Sequence, residues 1–215
     1  MRPFDENDIL FLLVSARWTL YLTLIAFAGA SIMGMFVAVA SLVRNRAIRL
    51  LMSIYVLVFQ GTPLLLQLFI IFFVPNTIDI TISPLAAATI GLTLNGGAFL
   101  GEIWRGGLIS VHKGQWEASK ALGLGRFDQL ISVIAPQAAR ITAPATVGFL
   151  VQFLKATSLA SIIGFTELTR AGQIVVNATF QPFEVYAFIG VVYFVLCLPL
   201  SIISKRLERK IAPQQ

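Results

Sequence analysis

Apolar residues dominate this chain in five long runs, from about Trp18 to Val43, Leu50 to Val74, Pro84 to Ile103, Ile141 to Phe165 and Phe183 to Ile203. A helix rises about 1.5 Å per residue and the hydrocarbon core of a bilayer is about 30 Å thick, so about 20 mostly apolar residues can cross it. The pattern predicts an all-α integral membrane protein with five transmembrane helices. Ahead of the first run, Ile9 to Val14 is a short apolar stretch behind acidic residues, which predicts an interfacial helix.

Composition narrows the class. Of 215 residues, 57% are hydrophobic and 12% charged, and the mean hydropathy is +0.85. A soluble domain of this length keeps far more charge on its surface, so one integral-membrane domain is expected. Cys197 is the only cysteine, which leaves no intrachain disulfide and no thiolate metal cluster. His112 is the only histidine and lies between the third and fourth runs, where a solvated side chain is expected. Met1 to Asp8 lacks the basic region of a cleavable signal peptide, so the first helix is expected to stay in the mature protein.

The net charge is +6, yet the basic residues form no aromatic-interleaved patch for nucleic acid. They fall instead between and after the apolar runs. Arg44, Arg46 and Arg49 follow the first run. Arg105, Lys113, Lys120, Arg126 and Arg140 follow the third, and Lys205, Arg206, Arg209 and Lys210 follow the fifth. The other side has Arg2 and Arg170, and no basic residue in the loop Pro75 to Ser83. The positive-inside bias predicts an external N-terminus and a cytoplasmic C-terminus.

Polar residues inside spans are costly and usually face a bundle interior or a water-filled path. Gln60, Thr62 and Gln67 surround Gly61 and Pro63 in the second run. Proline removes a donor and disturbs the helix ladder there, which can expose backbone to a substrate or merely form a kink. Asn95 precedes Gly96 and Gly97, so it either binds substrate or accompanies a close helix crossing. Glu102 and Arg105, three apart, are expected to pair. The fourth run holds Gln152, Lys155, Thr157 and Ser158. Lysine at mid-helix costs roughly 2.5–3.5 kcal/mol on insertion scales, so a partner such as Glu167, snorkelling or a passing anion is expected. Thr62, Gln67, Asn95, Gln152, Lys155 and Ser158 are the candidate substrate-pathway residues. The core of the fourth run holds no carboxylate, which favours acidic or amide amino acids over cationic ones. No metal spacing is present and no strong nucleophile–base pair stands out, although Ser158 follows Lys155 by one helical turn.

The connection from Arg105 to Arg140 is long for so compact a chain, and its ordered apolar spacing argues for a docking element. Gln115 to Leu122 predicts a short helix that projects Trp116, Ala118 and Leu122, with Gly123 and Gly125 turning the chain and Pro136 limiting helix continuation. Within it, Glu117-Ala118-Ser119-Lys120-Ala121-Leu122-Gly123, followed at matching spacing by Val133, Ala135 and Pro136, resembles the E-A-A-x-x-x-G signature of binding-protein-dependent ABC importer permeases. Ser119, Val133 and Ala135 depart from that signature in small ways. Gln60 to Gln67 resembles the G-T-P-L-L-x-Q segment of the polar amino-acid branch. Glu102 to Gly107, Lys113 to Ala118, Leu154 to Ala160 and Glu167 to Gly172 resemble four more of its segments, in order, over about residues 16 to 206.

The resemblance implies a type I ABC importer permease with a periplasmic segment 1–16, a transmembrane domain 17–206, a cytoplasmic coupling loop 105–140 and a cytoplasmic tail 207–215. It implies residence in the bacterial cytoplasmic (inner) membrane. The expected partners are a cytoplasmic ABC ATPase dimer, a second permease subunit, a periplasmic or lipid-anchored amino-acid-binding protein, and the amino acid itself. Gln115, Trp116, Glu117, Ala118, Ser119, Leu122 and Gly123 are the candidate ATPase-coupling residues. The chain carries no G-x-x-x-x-G-K-[ST] phosphate loop, so ATP and Mg are expected on the partner and no cofactor on this chain. The competing readings are a channel or scaffold protein outside the ABC class, and an intramembrane enzyme using Lys155 and Ser158.

Overall fold

The structure, a computed structural model, describes residues 2–211. Among these the chain forms α1 (Glu6–Ala40), α2 (Arg46–Gly61), α3 (Leu64–Phe73), α4 (Pro84–Ser110), α5 (Lys113–Ala121), α6 (Arg126–Asp128), α7 (Ala135–Ala156), α8 (Leu168–Thr179) and α9 (Pro182–Ile211). The last four residues of the expected cytoplasmic tail lie outside the described residues. The helix ends follow capping chemistry. Asp5 accepts the backbone N–H of Asp8 while the Asp8 carboxylate accepts that of Asp5, satisfying donors that the first turn leaves free. Ser83 caps α4, with Pro84 as its first residue.

Among the described residues, three helices are long and apolar enough to cross a bilayer: α1, α4 and α9. Taken together, α2 and the segment Leu64–Ile78 are apolar enough to count as a fourth, but they are bent by 102° at the break between them, the geometry of a broken span or a re-entrant loop. α7 has 22 residues but carries Arg140 and Lys155, and it is not among these apolar spans. The most extensive pairing joins α1 to α4. Small residues allow their close approach: a Cβ on Gly34 would lie 2.8 Å from the Leu100 Cβ and 3.1 Å from the Gly101 amide nitrogen. The central core gathers Leu22, Ala30, Leu68, Leu92, Leu100 and Phe153 from four helices.

Three sequence expectations are corrected here. Ile9–Val14 is no separate interfacial helix, because α1 runs unbroken from Glu6. The second span is not continuous, because Pro63 supplies no N–H and its ψ of 132° is extended. The fourth does not continue as a regular helix to Phe165. A 3₁₀ turn spans Thr157–Ser161, where Thr157 and Ser158 donate their hydroxyls back to the carbonyls of Leu154 and Lys155, and Gly164 turns the chain at φ 88°.

Candidate functional site

The candidate coupling segment is built as a short helix, α5, held at both ends. At its start His112 caps α5, its Nδ1 accepting the Gly114 N–H at 3.1 Å. This role was missed in the sequence, where a solvated histidine was expected. At its end, the Gly123 N–H donates to the Lys120 carbonyl and the Leu124 N–H to the Ser119 carbonyl. This reciprocal pair needs a left-handed residue between helix and loop, and Gly123 supplies it at φ 76°. Gly125 is at an ordinary φ of −63° and does not make the turn. Gln129, buried, donates to the Leu124 carbonyl at 2.8 Å and fixes the exit; its place directly before the mostly apolar stretch Leu130–Ile134 was the available sequence signal.

Trp116 does not project from this helix. Its ring packs on the cluster of Ala38, Leu108, Val111, Ile134 and Ala138, so it anchors α5 to α1, α4 and the start of α7. The reason is periodicity: Ser119, one turn later, shares that inner face, is 2% exposed and bonds back to the Trp116 carbonyl. The outward residues are Gln115, Glu117, Ala118 and Leu122, of which Leu122 is 80% exposed. The segment is therefore a small, mostly non-bulky face backed by a rigid aromatic anchor.

The candidate pathway residues divide into two groups. Around the break between α2 and α3, the Gln67 amide donates to the carbonyls of Phe59 and Thr62 and to the Thr62 hydroxyl, at 2.9, 3.1 and 2.8 Å. Asn95, from α4, donates to the same Phe59 carbonyl and to Gln67 Oε1, at 3.0 and 3.1 Å. Gln60 donates to the Ala98 carbonyl. Thr62, Gln67 and Asn95 thus satisfy backbone acceptors that the proline break frees. Gly96 and Gly97 admit Ala30 and Met33 of α1, the close crossing expected beside Asn95.

Gln152 and Lys155 behave differently. With Ala145 they lie on one exposed face of α7. Ser158, half-buried, donates to the Lys155 carbonyl at 2.7 Å and not to its amine, which gives no support to a Ser–Lys catalytic pair. Lys155 has no ion pair among the described residues. Glu167 is not its partner: fully buried, it caps α8 by accepting the N–H groups of Thr169 and Arg170 and accepts the Tyr193 hydroxyl at 2.9 Å. Glu102 and Arg105 do form the expected pair, at 2.7 Å.

Comparison with known proteins fits this geometry. The chain is 36% identical over 195 residues to the L-cystine transport system permease protein TcyB of Bacillus subtilis, covering 90% of this chain and 83% of that one. It is 35% identical over 201 residues to the glutamine transport system permease protein GlnP of Escherichia coli, covering 93% and 92%. The crystal structure of an amino acid ABC transporter with histidines superposes with a TM-score of 0.88 at 32% identity, over 98% of this chain and all of that one. An inward-facing MetNI methionine ABC transporter shares the fold, with a TM-score of 0.81 at 21% identity. Residues 30–213 match the model of the binding-protein-dependent transport system inner membrane component, and the chain belongs to that family.

Proposed function

We propose that this chain is the permease subunit of an ATP-driven importer of polar amino acids, working by alternating access in the bacterial inner membrane. Hydrolysis of ATP resides in a separate subunit, and the chain transmits its work. The observation that carries the reading is the construction of α5: an anchored helix with an outward face of Gln115, Ala118 and Leu122, fixed to three other helices through Trp116. A rigid body moved at that face must carry α1, α4 and α7 with it, as a rigid-body transition requires. The positive-inside bias puts this helix in the cytoplasm, the N-terminus outside, and makes α7 the fourth of five crossings in chain order.

The exposed face of α7 supports a substrate route shared with a second permease subunit, because Gln152 and Lys155 are polar groups left without a partner element. An amide and an ammonium without a nearby carboxylate suit an acidic or amide amino acid. The relatives named for glutamine and L-cystine transport are in keeping with a polar amino acid. The test is reconstitution with an ABC ATPase and a substrate-binding protein encoded beside the gene, followed by ATPase assays across a panel of amino acids. Stimulation by glutamine or glutamate through the binding protein is expected; an ATPase indifferent to every amino acid overturns the reading. Thiol labelling of Leu122→Cys in a Cys197→Ser background, expected only from the cytoplasmic side, tests the orientation.

A further inference from the structure

A cavity separate from the polar residues of the pathway opens between the end of α1 and the coupling helix. It has a volume of about 950 Å³. Its floor is apolar: Leu42 and Val43 continue the first span past the end of α1, and Phe127 and Leu130 come from beyond the coupling helix. Phe127 is 72% exposed, an aromatic ring open to whatever fills the space. Its rim is basic, with Arg44, Lys120 and Arg126. None of these three has an ion pair among the described residues. The acid on the rim, Glu117, faces the remaining lysine, Lys113, at 3.9 Å. The site therefore joins a strip of apolar surface to unneutralised cations at the end of a membrane-spanning helix.

We propose that this cavity binds an anionic phospholipid of the cytoplasmic leaflet, with its phosphate on Arg44, Lys120 and Arg126 and acyl carbons on Leu42, Val43 and Phe127. The chemistry commits to this occupant in three ways. An apolar floor with a cationic rim fits a molecule that is itself part apolar and part anionic. The floor begins where an apolar run meets Arg44, so it lies where a lipid changes from chain to headgroup. Basic pockets on the cytoplasmic side of transmembrane helices attract acidic headgroups, since that leaflet carries a negative surface potential. Because Trp116, Glu117 and Lys120 of α5 line the same cavity, a bound lipid braces the coupling helix against α1. Occupancy then sets how firmly motion of that helix is passed to the bundle. This inference rests on the cytoplasmic placement of α5 proposed above.

The test uses the assembled transporter in nanodiscs of phosphatidylcholine with and without phosphatidylglycerol. It compares wild type with the Arg44→Gln/Arg126→Gln variant, both of whose positions are exposed. Two readouts are taken: phosphatidylglycerol retained in native mass spectrometry, and amino-acid-stimulated ATPase activity. Loss of two basic contacts is expected to weaken lipid retention about 30-fold, and the variant's ATPase is expected to lose its dependence on phosphatidylglycerol. Equal lipid retention in variant and wild type overturns the proposal. So does release of the ATPase by the variant in every lipid, which would make the cavity part of the ATPase interface. Amino-acid stimulation that persists in pure phosphatidylcholine, without any lipid response, sinks the lipid site while leaving the importer reading intact; absence of stimulation in every lipid strikes at the importer reading itself.

Discussion

Two sets of polar side chains sit in the apolar runs of this protein, and the structure uses them in opposite ways. At the break between α2 and α3, Gln67 and Asn95 turn inward and spend their amides on the carbonyls of Phe59 and Thr62. On α7, Gln152 and Lys155 turn outward. In an apolar surrounding a polar group is tolerated when a partner is close. The first set has its partners within this chain; the second must find them in another subunit, in water or in a substrate. A polar residue in a span is therefore a poor guide to a binding site until its hydrogen bonds are traced.

The sharpest way to break this contrast is to remove one member of each set and read stability and transport separately. Gln67→Leu keeps the side-chain bulk but strips the Thr62 carbonyl of its amide donor and Asn95 of one of its two acceptors. Stability in detergent is expected to fall by about 2 kcal/mol, the range for leaving buried groups unpaired, seen as a lower midpoint of thermal unfolding. Unchanged unfolding would mean that the network does not hold the break. Lys155→Ala is expected to act the other way, leaving stability within about 0.5 kcal/mol, as for surface positions away from special contacts. Amino-acid uptake by reconstituted vesicles should then fall about tenfold, the fold-change that corresponds to about 1.4 kcal/mol of lost transition-state stabilisation. Loss of folding with Lys155→Ala, or full uptake, removes the distinction.

Much of the architecture was legible because it follows from one-dimensional rules. Run length announced α1, α4 and α9, and the stretch Gln115 to Gly123 announced a short helix stopped by a glycine turn. What was not legible depends on contacts distant in the chain. Pro63 announces a disturbance, but that it becomes a 102° bend depends on donors arriving from Gln67 and from Asn95 on another helix. The direction of Trp116 was misread because its docking surface is assembled from α1, α4 and the start of α7, which no local pattern reveals. Glu167 looked like a counter-ion for Lys155. Only the fold shows that Tyr193, twenty-six residues later, and the first turn of α8 occupy it.

A smaller effect sharpens the outward set alone. Gln152→Glu places a carboxylate on the α7 face where the sequence has none. If that face meets the substrate, competition between arginine and glutamine in uptake should shift toward arginine by up to about fivefold, the worth of a partly solvated ion pair. The binding protein must be bypassed or exchanged for this assay, since otherwise its own selectivity conceals the change.

The smallest expected effect is a null, and it tests the assignment of Glu167 directly. If Glu167 were the hidden partner of Lys155, removing either charge would expose the other, and the double variant would cost much less than the two single variants together. The geometry says otherwise: the carboxylate already accepts two backbone N–H groups and a tyrosine hydroxyl, at 2.9, 2.8 and 2.9 Å. Glu167→Gln retains an acceptor for part of that network, so it should be mildly destabilising by itself. Combined with Lys155→Ala, the unfolding free energies should add within about 0.5 kcal/mol, as they do for residues that share no contact. A coupling clearly above that size would mean that the two charges sense each other across the turn at Gly164, and that the inward and outward sets are parts of one electrostatic unit.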